Sequence, residues 1–200
     1  MTHVHDHEHD DDHEHAEEHE HDDEGADREE EARRRHALAQ IRQYPDVALR
    51  LRANEVTEFD DDLRALAGRM ERMMDDAQGI GLAATQVGVL RRLFVFRPDD
   101  EGARAVVNPR LVETAEETET QEEGCLSLQG VRVPVPRSVR VTLAGQNLDG
   151  EDVTYELEGM GARVVQHESD HLDGLLIVDR TDDENRRRAL AILRPQPVLR

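Results

Sequence analysis

The fold is decided by one stretch of the sequence, Val164-Val165-Gln166-His167-Glu168-Ser169-Asp170-His171-Leu172-Asp173-Gly174, which contains the pattern His-Glu-x-x-His. In a helix, residues four positions apart lie on the same face, one turn from each other. His167 and His171 can therefore direct two imidazoles at one metal ion, and Glu168 is close enough to act on a water molecule there. This spacing is typical of a helix-borne, hydrolytic zinc site.

The residues around this pattern favour a buried helix. The flanking valines and leucine are apolar, and Gly174 stands where a helix commonly ends. Histidine is otherwise rare in this part of the chain, because beyond residue 21 the only other one is His36. We therefore interpret the two histidines of the pattern as metal ligands rather than as a structural pair.

A catalytic metal site usually has three protein ligands and one open position for water. One protease class continues the pattern to a third histidine, but here that position holds Ile177. Another class uses an acid further along the chain, so Asp179 and Glu184 are possible ligands, although no convincing helix carries them to the site. We favour Cys125, which lies between predicted strands in Glu123-Gly124-Cys125-Leu126-Ser127.

An amphipathic helix is predicted after Thr57 or Asp60, either of which can cap its first turn. Its apolar residues recur at helical spacing and predict a buried face: Leu63, Leu66, Ala67, Met70, Met73 and Met74. The helix should end before Gly79. The next segment, Gly79-Ile80-Gly81-Leu82-Ala83-Ala84-Thr85-Gln86, joins small residues to one side-chain amide, which suggests the wall of a compact site.

Strands are predicted in a run before the metal-binding helix. Five segments have alternating or β-branched character: Arg92–Phe96, Ala105–Val107, Val131–Val135, Val139–Leu143 and Val153–Leu157. A terminal amphipathic helix is predicted over Asp182–Leu193. Strands in succession followed by a helix indicate an α+β fold rather than βαβ repeats.

The N-terminal segment differs in composition from the rest of the 200 residues. Residues 1–24 are almost wholly His, Asp and Glu and hold eight of the 11 histidines. Such a segment buries too little apolar surface to offset its ordering entropy, and it is able to capture transition metals loosely. The predicted organisation is a disordered His/Asp/Glu-rich extension over 1–35, a single catalytic domain over 36–195 and a C-terminal tail over 196–200. Residues 26–43 are predicted to form a helix that joins extension and domain.

Composition also limits the classes of function. Most of the net charge of −21 comes from residues 1–31, which hold 16 acids against one base, Arg28. No basic stripe with interleaved aromatic residues is present, so direct nucleic-acid binding is not expected. No apolar run of about 18 residues or signal segment is found, so we predict a cytoplasmic protein that does not bind membranes. The single cysteine, Cys125, excludes an internal disulfide.

Three segments together resemble the peptide deformylase family: Gly79–Gln86, Glu123–Ser127 and Gln166–His171 occur in the family's order and spacing. The resemblance extends from about Ile41 to Ile192. It implies an α+β fold with antiparallel β-sheets packed around a central metal-binding helix. It also implies removal of the N-formyl group from the formyl-methionine of new polypeptides, with release of formate. The expected partners are N-formyl-Met nascent peptides, and the ribosome exit is a candidate place of action.

The resemblance also implies roles for individual residues. The implied metal ligands are Cys125, His167 and His171, with Glu168 as the acid–base group. The implied oxyanion donors are the side chain of Gln86 and the backbone N–H of Leu126. The implied substrate-binding residues are Gly81, through its backbone, and Ile80, Met160 and Val164, which would hold the methionine side chain. An ion pair between Glu123 and Arg137 is expected to steady the cysteine loop.

The resemblance implies one divalent metal per site, with Fe²⁺ expected in the cell. Divalent-metal affinity generally rises from iron towards copper, so purified protein could carry Zn²⁺, Ni²⁺ or Co²⁺ instead. Ser169, Gly161, Gln129 and the segment Tyr44-Pro45-Asp46-Val47 depart from common family forms, and these departures bear on pocket shape and stability. Three other functions remain open: a zinc endopeptidase, a metal-storage or metal-delivery protein, and a family member with an altered substrate.

Overall fold

The computed structural model describes residues 14–98 and 102–194. The helices are α1 (Glu14–Gln40), α2 (Asp61–Asp76), α3 (Gly159–Leu172) and α4 (Asp183–Leu193). The strands are β1 (Gly81–Ala83), β2 (Leu93–Phe96), β3 (Arg104–Thr114), β4 (Thr118–Gly124), β5 (Arg132–Ser138), β6 (Arg140–Gln146) and β7 (Asp152–Glu158). Short 3₁₀ turns lie at Val47–Arg50, Ala84–Val87 and Ile177–Asp179.

The strands form two antiparallel sheets. Five strands pair in the order β1-β2-β3-β6-β7, while β4 and β5 form a separate two-stranded sheet. Helix α3, which carries the His-Glu-x-x-His pattern, contacts β1, β2 and β7 of the larger sheet and β5 of the smaller one. The predicted α+β fold, with antiparallel sheets around a central metal-binding helix, is therefore confirmed.

Helix α2 forms because its first turn is capped and one face is apolar. The Asp60 side chain accepts a hydrogen bond from Leu63 N at 2.9 Å, so Asp60 rather than Thr57 is the cap. All six apolar residues predicted for its buried face are buried. They pack with residues of β1 and β2, including Leu82, Leu93 and Val95. This layer supports β1, which borders the metal-binding pattern.

The five predicted strands are present, but two further strands were not predicted. β1 has only three residues, too few to show a period of two. β4 has the sequence Thr-Glu-Thr-Gln-Glu-Glu-Gly and only one buried side chain, that of Glu123. Both strands form because a partner strand supplies their hydrogen bonds: Leu82 pairs with Val95, and Gln121 pairs with Val135.

Within the extension predicted to be disordered over residues 1–35, the structure describes a helix, α1, that begins at Glu14. Glutamate, alanine and arginine have high helix propensity, and Ala37 is buried while Leu38 packs against the α2 layer. The predicted helix over 26–43 is thus longer than expected and ends at Gln40. Residues 1–13 and the predicted tail at 196–200 lie outside the described residues. The division at residues 35 and 195 stays a prediction.

Across residues 14–98 and 102–194, no helix combines the length and apolar character needed to span a membrane.

The fold predicts opposite effects of alanine at two glycines. At Gly145 in β6, a Cβ atom would lie 2.5 Å from Val106 Cγ1 and 2.9 Å from the Val107 carbonyl oxygen. Gly145→Ala should therefore lower the free energy of unfolding by about 1–3 kcal/mol. At Gly68 in α2, a Cβ atom would have ordinary contact only, with Arg72 Nη1 at 3.6 Å. Gly68→Ala should raise the free energy of unfolding by about 0.5–1 kcal/mol, because alanine favours the helix.

The measurement is urea denaturation followed by circular dichroism on both variants and the parent. Equal effects of the two substitutions would contradict the packing described for β6.

Candidate metal centre and its cleft

The three predicted metal ligands converge from two elements. Cys125 directly follows β4, and His167 and His171 lie one turn apart on α3. Cys125 Sγ lies 3.3 Å from His171 Nε2, which is 3.2 Å from His167 Nε2. All three ligand atoms lie within 4.8 Å of one another. One thiolate and two imidazoles at these separations fit a divalent transition metal with a fourth position left open.

The two acids considered as alternative ligands lie elsewhere. Asp179 pairs with Arg50 and accepts a hydrogen bond from Leu176 N at 2.9 Å. Glu184 is exposed on α4 and pairs with Arg188. Both carboxylates are thus committed to other contacts, whereas Cys125 lies beside the two histidines.

Glu123 orients the first histidine. His167 Nδ1 lies 3.0 Å from Glu123 Oε2. Glu123 also accepts hydrogen bonds from Arg137 Nε and Nη2, each at 3.0 Å, and from Arg163 Nη1 at 2.7 Å. An ionised carboxylate only accepts, so Nδ1 donates and Nε2 is left for the metal. The expected Glu123–Arg137 ion pair is present, and it is buried rather than on the surface.

A second buried carboxylate extends this network. Asp170, between the two histidines in sequence, accepts hydrogen bonds from Arg137 Nη1 at 2.5 Å and from Arg180 Nη2 at 2.5 Å. Arg163 also donates to the carbonyl oxygens of Val135 and Glu119. The sequence interpretation missed Arg163, Asp170 and Arg180. A charged residue in an otherwise apolar turn of α3, one turn before His167, was the available signal for Arg163.

Glu168 lies against the backbone of β1. The side chain is 3% exposed, and a Cβ atom at residue 81 would collide with its carboxylate. Glycine at position 81 therefore allows the close approach of strand and carboxylate. Within the described residues, Glu168 Oε2 has no hydrogen-bond partner. This leaves one carboxylate oxygen available beside the three metal ligands.

The two carboxylates at the site differ in acidity. Burial raises the pKa of Glu123, but hydrogen bonds with His167 and Arg137 outweigh burial and lower the pKa to about 2. Burial raises the pKa of Glu168 to about 7, because attraction to His167 offsets only part of the effect. The difference follows from hydrogen bonding, since Arg137, Arg163 and His167 all donate to Glu123, whereas Glu168 Oε2 has no partner among the described residues.

The pKa values of the two histidines, His167 and His171, also differ. Burial and repulsion by His167 lower the pKa of His171 well below its usual value, which favours the neutral, ligating form. Burial lowers the pKa of His167 too, but hydrogen bonds with Cys125 and Glu123 outweigh burial and raise it. A proton and a metal ion compete for a ligating nitrogen, so metal affinity should fall as the solution becomes more acidic.

The two predicted oxyanion donors lie beside the cysteine. Gln86 Nε2 is 3.7 Å from Cys125 Sγ and donates to Ser127 Oγ at 3.1 Å. Its Oε1 accepts from Ala83 N at 2.8 Å, which fixes the orientation of the amide. Leu126 directly follows the cysteine, and its carbonyl oxygen accepts from Gln43 Nε2 at 2.9 Å.

A cleft of about 640 Å³ opens onto these groups. The four predicted substrate-binding residues line it together with Cys125, His167 and Glu168: Ile80, Gly81, Met160 and Val164. The Ile80 and Met160 side chains are about half exposed, which is unusual for apolar residues of this size. The cleft therefore combines an apolar wall with the metal-binding groups. Leu38 and Arg34 of α1 also line it.

Comparison with known proteins identifies the family. The family model described as Polypeptide deformylase matches residues 38–187. The chain belongs to the polypeptide deformylase family. It is therefore a hydrolase, and the family's activity is removal of the N-formyl group from new polypeptides.

Several relatives agree over most of their length. Peptide deformylase 1 of Corynebacterium glutamicum is 44% identical over 161 residues, covering 79% of this chain and 95% of that protein. The crystal structure of peptide deformylase from Thermotoga maritima is 48% identical with a TM-score of 0.69, covering 71% of this chain and 96% of that one. The enzyme from Ehrlichia chaffeensis is 30% identical with a TM-score of 0.73, covering 77% and 93%.

Two of the departures from common family forms, Ser169 and Gly161, are accommodated by α3. Ser169 Oγ donates to the Val165 carbonyl oxygen at 2.6 Å, so its hydroxyl is satisfied within the helix. Gly161 is buried, and a Cβ atom there would have ordinary contact with Leu157 at 3.5 Å. Neither residue contacts a predicted metal ligand through these atoms.

The buried ion pair predicts a large effect of removing its cation. Arg137→Met would remove a buried cationic donor from both Glu123 and Asp170, so the free energy of unfolding should fall by about 3–5 kcal/mol. The matched control is Arg188→Met, which breaks the exposed pair with Glu184. This substitution should change the free energy of unfolding by less than about 1 kcal/mol. Denaturant titrations at equal metal saturation measure both values. Similar losses in the two variants would contradict a structural role for the network.

Proposed function

We propose that this chain removes the N-formyl group from the formyl-methionine of newly synthesised polypeptides, releasing formate, with Cys125, His167 and His171 as the metal ligands. Family membership supports the reaction. The observation that supports the residue assignment is the convergence of one thiol and two imidazole nitrogens beside a cleft that Glu168 also lines.

When bound, the metal supplies Lewis acidity, which makes water nucleophilic near neutral pH and offsets negative charge on a substrate oxygen. Glu168 takes the proton of the attacking water and later returns it to the leaving amine. Its position supports this role, because the carboxylate is held against β1 and Oε2 has no partner among the described residues.

Two donors stabilise the oxyanion that forms when the formyl carbon is attacked: the Gln86 side-chain amide and the Leu126 backbone N–H. The hydrogen bond between Gln86 Oε1 and Ala83 N leaves the amide NH₂ directed towards the cysteine loop. Pre-orientation matters because the donor then needs no reorganisation during the reaction. One such donor contributes roughly 3 kcal/mol of barrier lowering.

The substrate's methionine side chain binds the apolar wall formed by Ile80, Met160 and Val164, and the backbone near Gly81 positions the peptide. Two of these side chains are about half exposed in the cleft, so a methionine side chain would cover apolar surface that otherwise faces water. The flexible thioether of Met160 adapts its shape to such a ligand.

Fe²⁺ is the proposed metal in the cell, and Zn²⁺, Ni²⁺ or Co²⁺ would substitute in purified protein. An iron site with a thiolate ligand would be sensitive to oxygen, with Cys125 as the oxidation target. The proposed location is the cytoplasm, where nascent peptides emerge at the ribosome exit. The His/Asp/Glu-rich segment over residues 1–24 would then be an accessory.

The test is formate release from an N-formyl-Met peptide by anaerobically prepared protein, with metal content measured on the same samples. Glu168→Ala should retain the metal and lower kcat by about 10²-fold or more, because proton transfer is lost. Cys125→Ala should lose both metal and activity. Glu184→Ala, which removes an exposed carboxylate on α4, should match the parent.

The two other enzyme functions give different results. A zinc endopeptidase would cleave internal bonds of unformylated peptides and survive Cys125→Ala. A family member with an altered substrate would bind the metal normally but release no formate from formyl-Met peptides. A metal-storage protein would show no turnover with any peptide.

A further inference from the structure

Helix α1 lies almost wholly before the residues that match the family, yet it forms part of the active-site cleft. The family model begins at residue 38, whereas α1 spans Glu14–Gln40. Arg34 and Leu38 line the same cleft as Ile80, Cys125 and Glu168. Arg34 therefore lines the cleft from outside the part of the chain that matches the family, and Leu38 is the first residue of the match.

The position of α1 is fixed by contacts on both sides of Arg34. Gln78 Nε2 donates to Glu30 Oε1 at 2.6 Å, and Leu38 packs against the α2 layer. Glu30, Arg34 and Leu38 are spaced four residues apart, so they share one face of the helix. The contacts of Glu30 and Leu38 hold this face of α1 against the segment that precedes Gly79-Ile80-Gly81. The Arg34 side chain is thereby directed at the cleft.

The Arg34 guanidinium is available for a ligand. Arg34 is exposed, and among the described residues it has no hydrogen-bond or ion-pair partner. In contrast, Arg33 lies 3.9 Å from Glu29, and Arg163 within the cleft is bound to Glu123. A guanidinium presents several N–H donors in a plane and binds carboxylates well.

We propose that Arg34 is a substrate-binding residue that favours formyl-Met peptides with an acidic side chain at the second or third position. This inference rests on the proposed function, because it places the formyl group at the metal ligands and the rest of the peptide along the cleft. Since Arg34 is on the wall rather than among the reacting groups, it acts on binding and not on the chemical step.

The experiment uses the full chain and C-terminally amidated peptides, so that a terminal carboxylate does not contribute. The peptides are formyl-Met-Ala-Ala, formyl-Met-Glu-Ala and formyl-Met-Ala-Glu, and kcat and KM are measured for each. Arg34→Ala should raise KM for the better acidic peptide by about two- to five-fold, the size of an exposed ion pair, with kcat unchanged. The neutral peptide should be hydrolysed as by the parent.

Three further variants separate charge from structure. Arg33→Ala removes a neighbouring guanidinium that does not line the cleft and should leave all three peptides unchanged. Arg34→Lys should keep most of the preference, and Arg34→Glu should reverse it. The preference should weaken in about 0.5 M salt, because exposed charges are screened.

Equal changes for neutral and acidic peptides, or no change in Arg34→Ala, would overturn the proposed role of Arg34 while leaving the deformylase reaction intact. Failure of the parent protein to release formate from any of the three peptides would instead overturn the proposed function and, with it, this inference.

Discussion

The buried carboxylate of Glu123 joins the elements on which the site depends. It extends from the end of β4, pairs with Arg137 on β5, and accepts hydrogen bonds from Arg163 and His167 on α3. A buried charge is costly to desolvate, and the cost is met here by good geometry and several donors. The same interaction sets the tautomer of His167 and places Cys125 two residues from a fixed point. These hydrogen bonds hold the smaller sheet and the central helix together where the predicted metal ligands meet.

A second constraint is the close contact between β1 and α3. Strand β1 is short, yet its glycine lets the Glu168 carboxylate lie against the backbone, and the α2 layer supports it from the other side. The result is two buried carboxylates with different properties. Glu123 is surrounded by donors and strongly acidic, whereas Glu168 is buried with no partner for Oε2 among the described residues and is weakly acidic. Environment rather than residue type therefore separates a structural carboxylate from a candidate acid–base group.

Prediction from sequence succeeded where the signal was periodic. The apolar stripe of α2 and the alternation in β5 to β7 reflect the geometry of single elements, so they can be read locally. It failed for β4, whose residues are mostly charged and exposed, because a partner strand rather than its own composition makes it a strand. It also did not predict that α1 extends back to Glu14, where the helix propensity of glutamate, alanine and arginine favours a helix despite the acidic composition.

The sequence by itself determined the pairing of His167 with His171, because a separation of four residues places them on one helical face whatever surrounds the helix. The three family segments similarly determined the fold class. Only the tertiary structure shows that Cys125, rather than Asp179 or Glu184, lies beside the two histidines, because these residues are brought together or kept apart by strand pairing and ion pairs over long sequence separations. Only the tertiary structure likewise shows the Arg137–Asp170–Arg180 network and the position of Arg34 in the cleft. Such contacts depend on the packing of distant elements, which leaves no local pattern in the sequence.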